Sequence, residues 1–218
     1  MRREKKYKLT RTEYIDILEK LKGIMQPDEN SNEQQFYTIK TIYLDNIYNK
    51  ILNENIDGKR YREKFRIRMY NNDIENIFLE KKINNNGVVS KERERISKEE
   101  VNKIIKGDLS LLNLDTNLKK ELYIAMKTIL LKPVIIIEYD RYAFVDKTFG
   151  IRITLDSNLY KSKNVNEFFE IVSKRANEYI LEVKYKEVIP KKIADCLKLK
   201  LPSTSISKYK NMRLARWI

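Results

Sequence analysis

The sequence contains no histidine and a single cysteine, Cys196. The first absence excludes Ser-His and Cys-His catalysis and any imidazole metal site. The second excludes an intramolecular disulfide and a structural zinc site. Cys196 itself reads as a small hydrophobic residue in a C-terminal helix. A metal held by such a chain must be a hard ion on carboxylate oxygens, Mg²⁺ or Mn²⁺. No apolar run approaches the length of a membrane span. The charged N-terminus lacks the apolar core of a signal peptide. These absences predict a cytoplasmic protein that meets a membrane only through a partner.

What is present is positive charge. The 218 residues carry 45 Lys and Arg against 31 Asp and Glu, a net charge of +14, and 42% of the residues are hydrophobic. The length allows one large domain or two small ones with a sizeable core. No linker or compositional break divides the chain, so we expect a single domain over 1–218. The charge surplus favours a polyanionic partner such as nucleic acid, a phosphate chain or an anionic membrane.

Periodicity and turn residues predict a short strand over 3–9 and a helix from Thr10 or Thr12 to about Met25, then a strand from Phe36 to Leu44. A turn or helical segment ends at Gly58. Strands over 62–70, 75–83 and 88–96 are separated by Asn71-Asn72-Asp73 and Asn84-Asn85-Asn86-Gly87, a meander. Ser97 and Glu100 form a capping box, and a second helix covers 116–131. Strands at 134–145, 151–156 and 178–187 follow, with 157–177 ambiguous. Pro190 opens a helix, and Ser203 or Ser205 opens the last one.

Glu-x-Lys occurs three times, at Glu4-Lys6, Glu80-Lys82 and Glu182-Lys184, each in or beside a strand. Residues i and i+2 of a strand share a face, so each copy sets a carboxylate beside an ammonium. The same split runs through other strands. Phe65, Ile67 and Met69 oppose Lys64, Arg66, Arg68 and Tyr70; Ile151, Ile153 and Leu155 oppose Arg152, Thr154 and Asp156. One reading is an ordinary antiparallel sheet with helices on one face and water on the other. The other is a closed barrel with its apolar side against helices and its charged side lining the interior. Tyr43, Tyr70 and Tyr142 read as packing residues. Lys98, Lys103, Lys119 and Lys120 read as solvated helix positions, and Trp217 as a core or edge anchor.

An ordered set of motifs resembles the vacuolar transporter chaperone (VTC) domain, the polyphosphate polymerase branch of the CYTH-like triphosphate tunnel metalloenzymes. It comprises Arg3-Glu4-Lys5-Lys6-Tyr7, Ile42-Tyr43-Leu44-Asp45, Arg66-Ile67-Arg68-Met69-Tyr70, Phe78-Leu79-Glu80-Lys81-Lys82 and Ser90-Lys91-Glu92-Arg93. It continues with Glu138-Tyr139-Asp140-Arg141-Tyr142-Ala143-Phe144, Ile151-Arg152-Ile153-Thr154-Leu155-Asp156, Leu181-Glu182-Val183-Lys184 and Ser207-Lys208-Tyr209. Each motif alone is weak; the order and spacing span nearly the whole chain. The resemblance implies an α+β fold, a closed antiparallel eight-stranded β-barrel forming a triphosphate tunnel, with helices packed outside and a C-terminal helix.

The resemblance also implies roles. Arg66 and Arg68 would hold phosphate oxygens of ATP through planar bidentate forks. Lys6, Lys82 and Lys91 would place point charges along the phosphate path. Arg141 and Arg152 would line the far wall beside Tyr139, and Ser207 with Lys208 would cap the chain at a helix N-terminus. Glu182 would be the principal ligand of Mn²⁺ or Mg²⁺, with Glu4 and Glu80 as helpers or ion-pair partners. Arg66, Arg68, Lys82, Arg141, Arg152, Glu182 and Lys208 would form the catalytic cage. Some eukaryotic members carry a further lysine near the Ser-Lys motif, where this chain has Ser203-Thr204-Ser205.

The implied activity is transfer of the ATP γ-phosphoryl group to inorganic polyphosphate with release of ADP. The alternatives are a triphosphatase or nucleoside triphosphatase of the same superfamily, and a non-catalytic binder of polyphosphate or RNA. The proposed cationic faces hold only Phe78 and Tyr70 as aromatics, which argues against RNA. The sequence leaves the oligomeric state open.

Overall fold

The computed structural model describes residues 3–29, 31, 35–109, 113–171, 176–197 and 208–214. β1 (Arg3–Leu9) leads into α1 (Arg11–Lys22). Thr10 accepts from the Glu13 amide while the Glu13 carboxylate accepts from the Thr10 amide, a closed capping box. Tyr14, Ile17, Leu18 and Leu21 put one stripe of α1 into the core. A two-residue strand, β2 (Gln26–Pro27), pairs with Phe144 and Val145. β3 (Phe36–Asp45) and α2 (Lys50–Ile56) follow.

The expected meander is present as β4 (Tyr61–Tyr70), β5 (Ile77–Asn85) and β6 (Val88–Ile96). Its turns place Asn71, Asn72, Asn86 and Gly87 at positive φ, the residue types that enter this region at least cost. Ser97 and Glu100 cap α3 (Lys98–Lys106), and Thr116 caps α4 (Asn117–Thr128). β7 (Lys132–Asp146) precedes β8 (Ile151–Ser162), which runs past its expected end and takes in 157–162 of the ambiguous stretch. A short 3₁₀ helix over Val165–Phe169 comes next, then β9 (Tyr179–Tyr185), α5 (Lys191–Leu197) and α6 (Lys208–Leu214). The expected start of the last helix, Ser207 and Trp217 all lie outside the described residues.

The strands form one nine-stranded sheet in the order β1-β9-β8-β7-β3-β4-β5-β6, with β2 added beside β7. This corrects the expected eight-stranded closed barrel. The path ends at β1 and β6, and among the described residues these two strands do not pair. Residue alternation cannot distinguish the two architectures, because a closed sheet and an open one impose the same period of two. Closure would also set Lys and Arg of β1 against Lys91, Arg93 and Arg95 of β6. Charged edge strands of this kind resist further pairing.

The chain packs as two compact units. Unit 1 comprises Met1–Thr38, Tyr139–Tyr160 and Ser173–Ile206; unit 2 comprises Ile39–Glu138, Lys161–Val172 and Ser207–Ile218. In unit 1, Tyr7, Leu9, Ile151, Ile153, Leu155, Leu181 and Val183 turn one face of β1, β8 and β9 toward α1 and toward Ile193 and Leu197 of α5. In unit 2, Phe65, Ile67, Met69, Ile77 and Leu79 are buried, as are Val101 and Ile104 of α3 and Leu118, Leu122 and Met126 of α4. Each such side chain contributes roughly 1.5–3 kcal/mol of hydrophobic stabilisation. In both units the opposite strand face is the charged one. Among the described residues, no helix is long and apolar enough to cross a membrane.

Two lysines lie on the buried side. Lys119, read as solvated, is buried with its ammonium 2.7 Å from Glu100 and 3.1 Å from Asp115. Glu100 lies in the first turn of α3 and Asp115 directly precedes the cap of α4, so the lysine ties the two helix starts together. Lys81 lies on the apolar face, 3.0 Å from both Glu63 and Glu121. It therefore stands apart from its neighbours Glu80 and Lys82.

Candidate functional site

The unit 2 face is a lattice fixed by strand register. Lys64, Lys82 and Lys91 are directly opposite one another on β4, β5 and β6. The next row is Tyr43, Arg66, Glu80 and Arg93, and the next is Thr41, Arg68, Phe78 and Arg95. Glu80 is the carboxylate at the centre. It is 0% exposed and lies 2.6 Å from Arg66, 2.5 Å from Lys91 and 3.8 Å from both Arg68 and Arg93. Burial pushes its carboxyl pKa up, but Arg68, Arg66 and Lys91 outweigh that and bring it down to about 2. A carboxylate so enclosed by cations is a poor place for a further metal cation. It orients Arg66 and Lys91 instead, and Lys91, not Lys82, is its lysine partner. Arg93 also lies over the Phe78 ring, 3.5 Å from its centroid.

Tyr43 is more than the packing residue expected. Its phenol is buried, and burial alone raises its pKa. The cations Arg66, Lys64, Arg68 and Lys208 overcome this and bring it to about 7. Tyr43 stacks on Tyr209 at 5.1 Å. The Tyr209 hydroxyl donates to Asp45, whose carboxylate also accepts from the amides of Asn46, Ile51 and Leu52 at the start of α2. Arg213 of α6 bonds Asn49. These contacts anchor α6 and with it Lys208 near Tyr43. The folded phenol pKa lies below its ordinary value of 10.0. Ionised Tyr43 thus adds stability at alkaline pH, and that contribution is lost as pH falls through about 7. We expect near-ultraviolet phenolate absorbance to show one tyrosine ionising near neutrality, absent in Tyr43→Phe. Tripolyphosphate should move that ionisation upward by neutralising the surrounding cations. A Tyr43 that ionises with the ordinary tyrosines would remove the evidence for a concentrated positive field.

The unit 1 lattice is built differently. Glu4, Lys184 and Arg152 share one row across β1, β9 and β8, and Lys6, Glu182 and Thr154 share the next. Lys6 lies 2.8 Å from Glu4 and 3.4 Å from Glu182; Lys184 lies 2.5 Å from Glu182 and 3.9 Å from Glu4. Burial and neighbouring Glu182 push the Glu4 carboxyl up, but Lys6 and Lys184 leave it below its ordinary value. The Lys6 ammonium is disfavoured by burial yet raised overall by Glu182 and Glu4. Arg141 holds Asp156 with two bonds of 2.6 and 2.8 Å and lies over the Tyr139 ring. Arg152 pairs with buried Asp28 at 2.6 Å and donates to the Tyr37 hydroxyl at 3.0 Å.

The expected residues are therefore divided. Arg66, Arg68, Lys82, Lys91, Glu80 and Lys208 belong to unit 2; Glu4, Lys6, Tyr139, Arg141, Arg152 and Glu182 belong to unit 1. In unit 2, Arg66, Arg68, Lys91 and Arg93 surround Glu80, and Lys64, Lys82 and Arg95 lie on the same strand face. In unit 1, Lys6, Lys184, Arg141 and Arg152 are matched by Glu4, Glu182, Asp156 and Asp28. Among the described residues, no group of three or more Asp, Glu, His or Cys side chains is placed to hold a metal. Glu4 and Glu182 supply two carboxylates in one cluster. That donor set fits Mg²⁺ or Mn²⁺, which commonly takes one or two carboxylates and completes its shell with water and substrate phosphate. Lys64, Arg93, Tyr43 and Lys184 were not among the candidate site residues read from the sequence. Their alternation was visible, but the strand register that brings them together was not.

The family model for the VTC domain matches residues 1–215. The chain belongs to the VTC domain family. No curated protein sequence matches this VTC domain. It is similar in fold to a candidate adenylate cyclase from Bacillus halodurans, at 12% identity and a TM-score of 0.64, covering 97% of this chain and 95% of that one. It is also similar to a Pyrococcus horikoshii protein, at 12% identity and a TM-score of 0.52, with the same coverage of each chain. Identities this low carry the fold alone.

Proposed function

We propose that this VTC domain is a polyphosphate polymerase that transfers the γ-phosphoryl group of ATP to the end of a polyphosphate chain and releases ADP. One observation carries the reading: the row Lys64, Lys82 and Lys91, beside Arg66, Arg68 and Arg93 around Glu80. Like charges directly opposite on neighbouring strands destabilise a sheet. A linear polyanion offsets that repulsion along the whole row. Arg66 and Arg68, held in place by Glu80 and Thr41, would present N–H donors to phosphate oxygens. Lys208 would add charge from α6. Ser207, outside the described residues, remains assigned by resemblance.

In unit 1, Glu4 and Glu182 would hold Mn²⁺ or Mg²⁺, with Lys184, Arg152 and Arg141 as phosphate partners. A divalent ion bound there supplies charge neutralisation at phosphate oxygens. A terminal phosphate oxygen of the acceptor forms the new P–O bond as the bond from the γ-phosphorus to the bridging oxygen of ADP breaks. No protein nucleophile is required, which agrees with a chain lacking histidine. Catalysis rests on positioning and on cations fixed before the reaction begins. Residues 1–218 would act as one functional domain, a reading supported by the family match over 1–215.

The deciding experiment is product analysis with ATP and Mn²⁺. Polyphosphate together with ADP supports synthesis. Orthophosphate as the only phosphate product supports a triphosphatase, and cyclic AMP would support the activity named for the Bacillus halodurans relative. Tight polyphosphate binding without turnover supports a binder.

A further inference from the structure

Thr154 stands out on the charged face of unit 1. It is 3% exposed, and among the described residues nothing hydrogen-bonds its side-chain oxygen. Its neighbours on the same face of β8 are Arg152 and Asp156, and its cross-strand partner is Glu182. Arg152 is in turn opposite Lys184. A buried hydroxyl without a partner is costly, and the same position on the apolar face would hold a branched hydrocarbon at no such cost. A hydroxyl is also the one group here that can donate without adding charge to a balanced set of ions.

We infer that Thr154 is a phosphate-contacting residue, donating its hydroxyl to a phosphate oxygen held by Lys184 and Arg152. The inference rests on the proposed phosphate site in unit 1. The oxygen is out of contact with solvent, so a phosphate reaches it only when a neighbouring side chain gives way. Lys184 is suited to this. Its stem is flexible, and its present partner, Glu182 at 2.5 Å, is an anion that a phosphate can replace. Binding would then free the Glu182 carboxylate and uncover Thr154 in one rearrangement.

The test compares Thr154→Val, which keeps the shape and removes the hydroxyl, with Thr154→Ser, which keeps the hydroxyl. Tripolyphosphate affinity is measured by calorimetry and folding stability by thermal melting. The valine protein should bind tripolyphosphate about tenfold more weakly. Its Tm should be unchanged or a few degrees higher, because the unpartnered hydroxyl is gone. The serine protein should bind within about threefold of the parent. With ATP, the loss should appear mainly in KM. A valine protein that binds like the parent overturns the inference while leaving the phosphate site standing. A parent that does not bind tripolyphosphate overturns the underlying site itself. A valine protein that loses stability and affinity together, without recovery in the serine protein, shows a packing role and also overturns the inference.

Discussion

Glu182→Gln is expected to lower metal-dependent turnover by at least ~100-fold while leaving a folded protein. Glu182 is nearly buried, with Lys6 and Lys184 on either side. The amide keeps the volume and one carbonyl acceptor but removes the charge that would draw a divalent ion. Lys6 retains Glu4 as a partner, and Lys184 has Glu4 within 3.9 Å, so neither ammonium is stranded. The loss should therefore appear in kcat with Mn²⁺ or Mg²⁺, and only a small change should appear in Tm. Binding of tripolyphosphate without metal should hold or strengthen, since a negative charge has left the cluster. Metal titration of the variant, followed by turnover and by calorimetry, checks both halves. Undiminished turnover would sink the metal assignment.

Glu80→Gln should have the opposite signature, a large loss of stability. Four cations face this carboxylate at 2.5 to 3.8 Å, and it has no solvent exposure. Removing one partner of a buried ionic cluster leaves charge without compensation and costs about 3–5 kcal/mol. The pH dependence gives an independent handle. The folded carboxyl lies at about 2 against an ordinary 4.5, so its contribution is complete above about pH 4.5 and is lost as pH falls toward 2. A shift of that size corresponds to about 3 kcal/mol. Acid unfolding of the variant should lack this component. Added tripolyphosphate should raise the Tm of the variant more than that of the parent, because the anion takes over the role of Glu80. A variant that melts like the parent would show that the cations relax freely into solvent.

Much of this was legible in the sequence. The split of Phe65, Ile67 and Met69 from Arg66 and Arg68 needed only a period of two. The capping box at Ser97 needed only a spacing of three, whereas the choice of Thr10 over Thr12 as the cap of α1 came from the structure. The three Glu-x-Lys copies proved unequal once paired. Glu4 and Glu182 share a cluster with Lys6 and Lys184, whereas Glu80 serves Arg66 and Lys91 and has Lys82 merely beside it on the same face. Spacing could show only Asp115, four residues before Lys119; its other partners, Glu94 and Glu100, come from β6 and α3.

The sequence by itself determined which strand faces are charged, where helices begin and which chemistry is excluded. These follow from backbone geometry and from interactions a few residues apart. Tertiary structure decided that the sheet stays open, which cations Glu80 and Glu182 hold, that Tyr43 lies in a field of four cations and that, among the described residues, Thr154 lacks a hydrogen-bond partner. Those outcomes depend on strand register and on side chains brought together from distant parts of the chain. Register shifts them without changing any local pattern.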